Sequence, residues 1–135
     1  MRIKPVGERL RHTAKKTRTL ERFCVLIPSK GRPDALLKTL RAQPFLNAPN
    51  VYIGIQDDEL KKYRKVVEEF SKIEYVSYPN PEGSGTRARE ELRKVAVAKG
   101  FKRYVVTDDN TRYTERSLLN LVKASFIYPD RKSVV

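Results

Sequence analysis

Four short apolar runs, each followed by a stretch whose apolar residues recur at helical spacing, constrain this chain more than any other feature. The runs are FCVLIP (23–28), VYIGIQ (51–56), IEYVSY (73–78) and FKRYVVT (101–107). FCVLIP is continuously apolar, as expected of a strand buried on both faces. After it, Pro33 suits a first helical position, Asp34 the first turn, and Leu36, Leu37 and Leu40 follow at helical spacing. After the second run, Asp57 or Asp58 is placed to cap a helix carrying Leu60, Tyr63, Val66, Val67 and Phe70, the most regular helical pattern in the chain. A PNPEGSG loop closes the third run. Ser84 or Thr86 then opens a helix with Ala88, Leu92, Val95 and Ala96, and Gly100 ends it. Thr114 caps a last helix through LLNLV. Strand and helix alternating four times predict an open α/β fold, a mostly parallel sheet with helices on both faces.

The 135 residues suffice for one domain and one core. Ahead of the first run, residues 1–22 hold eight Lys or Arg against two acids. They read as a basic N-terminal arm on a domain spanning 23–135. That arm is too charged for a secretory signal, and no apolar run reaches the roughly 18 residues of a membrane span, so a cytoplasmic protein is expected. The lone Cys24 and lone His12 leave no material for disulfides, cysteine-based zinc sites or a Ser-His-Asp triad. Any metal would need oxygen ligands. A net charge of +13 is the footprint of a protein that meets a polyanion such as nucleic acid.

Against that charge, TDDN (107–110) stands out as clustered carboxylates directly after an apolar strand. In open α/β sheets, ligands bind beyond the carboxyl ends of strands, where strand order reverses. With strand order 3-2-1-4, the reversal falls between the first and fourth strands. Ser29, Lys30, Gly31 and Arg32 then oppose Asp108, Asp109 and Asn110, a cradle suited to a phosphorylated ligand and a divalent metal. A turn or helix cap also accounts for Asp and Asn at a strand end.

The stretches VLIPSKGRPDALLKTLRA, YIGIQDDE, GSGTRAREELRKVAVAKG and RYVVTDDN resemble, in order, elements of the nucleotide-sugar-binding half of GT-A glycosyltransferases. The resemblance covers about residues 22–126. It implies a GT-A or Rossmann-like sheet, truncated relative to a full GT-A domain, that binds a nucleotide sugar with Mn²⁺ or Mg²⁺ and transfers the glycosyl group. It also implies that Pro28, Ser29 and Arg32 border the nucleotide, that Asp57 faces base or ribose, and that Arg89 reaches ribose or diphosphate. Asp108, Asp109 and Asn110 would form the metal motif, with Asp108 also at the nucleotide. Asn110 departs from the usual final acid, Glu90 replaces an Asn, and the sequence ends soon after the metal strand, where the family continues into the acceptor half that supplies the base in inverting members; a fragment, a minimal variant and a non-catalytic relic all fit that length. GSGTR matches the phosphate loop of sugar-phosphate nucleotidyltransferases but follows the wrong strand. The basic arm would suit a polyanionic acceptor, as in phage glycosyltransferases that modify DNA, which would place the protein in the host cytoplasm. The alternative is a non-catalytic nucleic-acid-binding or assembly protein on the same scaffold.

Overall fold

The structure, a computed structural model, describes residues 23–124. The basic arm at 1–22 lies outside the described residues, as does 125–135. Four strands form one sheet: β1 (Phe23–Pro28), β2 (Val51–Gln56), β3 (Glu74–Tyr78) and β4 (Arg103–Val106). Their order is β3-β2-β1-β4, and every pairing is parallel. The reversal expected from the sequence therefore lies between β1 and β4. The two inner strands are buried along nearly their whole length, while β3 and β4 at the edges are partly exposed. Burial on both faces explains why β1 and β2 read as unbroken apolar runs.

Side chains alternate across the sheet and define two cores. Val25 and Ile27 of β1 join Ile53 and Ile55 of β2 on one face. There they meet Leu36 and Leu40 of α1 (Pro33–Ala42), Val66 of α2 (Arg64–Glu69), and Leu118 and Val122 of α4 (Glu115–Ala124). On the other face Cys24, Leu26 and Tyr52 pack beneath Leu92 and Ala96 of α3 (Arg87–Ala98). Gly54 of β2 lets α3 approach, since a Cβ there would lie 3.1 Å from Leu92 Cγ. Phe101 adds an edge-on ring contact with Tyr52, centroids 5.9 Å apart.

The helix ends follow local chemistry. Gly100, at φ +79°, ends α3. Its N–H reaches the Val97 carbonyl, and that of Phe101 reaches Ala96, a Schellman closure. Thr114 caps α4 as expected: its Oγ1 accepts the Ser117 N–H at 3.0 Å, and Ser117 Oγ accepts the Thr114 N–H at 3.0 Å. The segment after β2 differs from its sequence pattern. It is a 3₁₀ turn (Asp57–Tyr63) leading into the short α2, and neither Asp57 nor Asp58 caps it. The Asp58 carboxylate instead accepts the Gln56 side-chain amide at 3.2 Å. Thr86 sits at the N-cap of α3 without a capping bond, its hydroxyl turned to Ser84 and Glu90. Among the described residues no helix is long and apolar enough to cross a membrane.

Burial raises the Cys24 thiol to about 12. The thiolate is the reactive form, so Cys24 should resist alkylation at pH 8 in the native protein and react at once in denaturant. Rapid native modification would contradict this packing. Gly54→Val should cost about 1–3 kcal/mol in urea unfolding, because the added methyls overfill the contact with Leu92.

Candidate functional site

A chain of hydrogen bonds fixes the carboxyl ends of β1 and β4 against each other. Ser29, just beyond β1, donates its hydroxyl to Asp109 Oδ2 at 2.9 Å. A serine hydroxyl has one proton, so in its 2.8 Å bond with Ser29 the Tyr63 hydroxyl must be the donor. The Tyr63 oxygen in turn accepts the Arg32 N–H at 3.2 Å. The chain thus runs from the backbone of α1's entry through Tyr63 and Ser29 to a carboxylate that is 1% exposed. Arg32 closes it, with Nη2 2.6 Å from Asp109 Oδ1 in an ion pair whose N–H groups are not aligned on that oxygen. Burial pushes the Tyr63 phenol upward, which keeps it a neutral donor.

Two further contacts hold the same loop. Thr39 of α1 donates its hydroxyl to the Asp109 carbonyl at 2.8 Å. The buried Gln43 side chain donates to the Thr111 carbonyl at 3.2 Å and accepts the Tyr113 N–H at 2.7 Å. Across the β1 loop, Gly31 adopts φ +65° and gives its N–H to Glu59 Oε1 at 3.0 Å.

Asp108 behaves differently from its neighbour. It is exposed, and Oδ1 accepts both the Asn110 N–H at 2.8 Å and the Thr111 hydroxyl at 2.7 Å. The Thr111 hydroxyl first, then the Asn110 N–H, hold its carboxyl below the usual aspartate range. The Thr111 N–H lowers it further, and among the described residues no hydrogen bond to Oδ2 is found.

These elements enclose a cavity of about 220 Å³ at the carboxyl edge of the sheet. Pro28, at the end of β1, and Ser29, Lys30 and Arg32 in the loop after it line it, with Asp108 and Asp109 from the loop after β4. Gln56 and Tyr78 come from the ends of β2 and β3, and Ser84, Gly85, Ala88 and Arg89 from the entry of α3. The structure therefore brings together seven of the residues expected from sequence: Pro28, Ser29, Lys30, Arg32, Arg89, Asp108 and Asp109. Asp57 and Asn110 are exposed and do not line the cavity. Gln56, Tyr78 and Ser84 were not anticipated. Gln56 reads as a strand residue in sequence, yet its amide bonds both Asp58 and Asn80, and Asn80 also ties down Ser84.

The donor set bears on a metal. Among the described residues no group of three or more His, Cys, Asp or Glu gathers to hold an ion unaided. Asp109 is spent on Ser29 and Arg32. Asp108 lines the cavity and its hydrogen bonds found among the described residues use Oδ1, which fits an ion such as Mg²⁺ that uses one or two carboxylates and completes its shell with phosphate and water.

No family model and no curated protein matches the chain. Among solved structures, it is similar to S. aureus TarS 1-349, with a TM-score of 0.48 and 10% identity over 74% of this chain. The match spans 31% of the TarS chain.

Asp109→Ala should cost about 2–3 kcal/mol in urea unfolding, because it strips Ser29 and Arg32 of their shared acceptor; the exposure of Arg32 keeps the loss below that of a fully buried pair. Asp108→Ala should cost less than about 1 kcal/mol. Since folding lowers the Asp108 pKa, its contribution is complete above the ordinary aspartate value near ~3.9 and is lost as pH falls through the lower folded value. The gap between wild type and Asp108→Ala should therefore be constant at neutral pH and shrink below about pH 4. Equal costs for the two substitutions would contradict the division of roles.

Proposed function

We propose that the cavity binds the diphosphate of a nucleotide sugar together with a divalent metal, Mn²⁺ or Mg²⁺, and that the domain belongs to a glycosyl-transfer reaction. The observation that carries this reading is the convergence of Lys30, Arg32, Arg89 and Asp108 on one cavity where the strand order reverses. The cations balance a diphosphate that they could not all approach as neutral ligand. Ser84 and Gly85 at the entry of α3 add the positive end of a helix.

Asp108, which lines the cavity, is the residue that would hold the metal, with Asn110 beside it in the same turn. When bound, the metal would neutralise charge on the departing nucleoside diphosphate. Lys30 and Arg89 orient that leaving group and share its charge. Asp109 aims Arg32 and locks Ser29, so its part is positioning. In the transfer, the bond between the anomeric carbon and the diphosphate oxygen breaks, one forms to an acceptor oxygen, and the acceptor's proton needs a base. No residue of the cavity is assigned that role. Residues 1–22, rich in cations, suit an acceptor that is itself a polyanion, such as nucleic acid.

The second reading is a nucleic-acid-binding protein without catalysis on this scaffold. The commitment of Asp109 to the fold favours it, because the motif then has a reason to exist without any ligand.

Thermal unfolding with nucleoside diphosphates and nucleotide sugars, with and without Mn²⁺, separates the two. A ligand at about 100 times its Kd stabilises by ~2.7 kcal/mol, a rise of roughly 10 °C for a domain of this size. A metal-dependent rise that Asp108→Ala and Arg89→Ala remove, without lowering the unliganded Tm by more than a few degrees, is expected. No rise with any ligand favours the second reading.

A further inference from the structure

We infer that a second cavity, on the flank of α3 above β4, is a binding site for single-stranded nucleic acid. It measures about 250 Å³ and lies between Arg89 and Arg93 of α3 and Tyr104 and Val106 of β4. Arg89 and Arg93 are four residues apart, so they share one helix face about 6 Å apart along its axis. Neither makes an ion pair or hydrogen bond among the described residues, although Arg93 is half-buried. By contrast Arg87 and Lys94 on the same helix are both paired with Glu91. One carboxylate, Glu90, lines the cavity, and it is turned to the Thr86 hydroxyl at 3.4 Å.

Tyr104 and Val106 are two residues apart in an edge strand and face the same side of the sheet. The body of α3 lies over β1, β2 and β3, which leaves these two side chains half-covered. An apolar wall with an aromatic ring beside unpaired arginines matches a base stacked on tyrosine with its phosphates on guanidinium groups. The bases of a duplex hide their faces from such a ring, so the fitting ligand is a single strand. A chain with a net charge of +13 supplies the long-range attraction. Arg89 lines both cavities, so a strand held here would lead into the first. Its role as the glycosyl acceptor rests on the nucleotide-sugar reading; its binding does not.

The test is fluorescence anisotropy of a labelled oligothymidylate across a salt series, with Arg93→Glu, Tyr104→Leu and a charge-matched control, Lys65→Glu, on the exposed side of α2. Arg93→Glu should weaken binding at least tenfold and flatten the log-log salt slope by about 0.7 or more. Tyr104→Leu should weaken it severalfold with the slope unchanged, and Lys65→Glu by less than threefold. Equal losses for Arg93→Glu and Lys65→Glu would overturn the site, since binding would then follow overall charge alone. No binding, or displacement by polyglutamate as effective as by unlabelled oligonucleotide, would also overturn it, the latter in favour of an acidic protein partner. Nucleotide-dependent thermal stabilisation should survive in Arg93→Glu. If wild type lacks that stabilisation but the oligonucleotide results hold, the first cavity's reading fails and this one stands.

Discussion

The buried carboxylate of Asp109 is the constraint on which the carboxyl edge of the sheet depends. It lies just past the carboxyl end of β4, beside β1, where the strand order reverses. A buried anion is costly unless its oxygens are matched. Ser29 and Arg32 provide the match, and Tyr63 orders Ser29 by using the serine's remaining acceptor capacity. Because each hydroxyl in the chain has one proton, the direction of every bond is fixed. Polarised chains of this kind strengthen one another in a low-dielectric interior. The β1 loop, the 3₁₀ turn after β2 and the β4 loop are thereby held as one unit.

That unit explains why a strongly basic chain places two carboxylates side by side. One is consumed by the fold and the other is left to face outward. Thr111 and Asn110 keep Asp108 ionised and hold its Oδ1, and the residue lines the cavity. Arg32 connects the two roles: it neutralises Asp109 while its side chain as a whole remains 57% exposed, at the cavity wall. The site thus combines an acidic point held by Thr111 and Asn110 with the cations Lys30, Arg32 and Arg89. Such a combination suits a ligand carrying both phosphate and metal.

Much of the architecture was legible because burial on both faces writes itself into composition. FCVLIP and VYIGIQ could be bounded to the residue, and TDDN could be placed opposite SKGR by topology alone. The division of labour between Asp108 and Asp109 was not legible, since adjacent residues in a turn point in opposite directions and sequence does not say which is inward. Tyr63 looked like one apolar position of a helix; its hydroxyl mattered only once the 3₁₀ turn brought it to Ser29 and Arg32. Gln43 and Gln56 were invisible for a related reason. Each satisfies backbone or loop groups distant in sequence, and no local pattern marks such a partner.

The central claim is that the cavity between β1 and β4 receives a diphosphate at Asp108 and the surrounding cations. Amide chemical shifts recorded while a nucleoside diphosphate and Mg²⁺ are added test it most directly. The account predicts saturable changes concentrated at residues 29–32, 84–89 and 108–111, with the 108–111 changes requiring the metal. Saturable changes confined to other parts of the sheet, or none at these three segments, would contradict it.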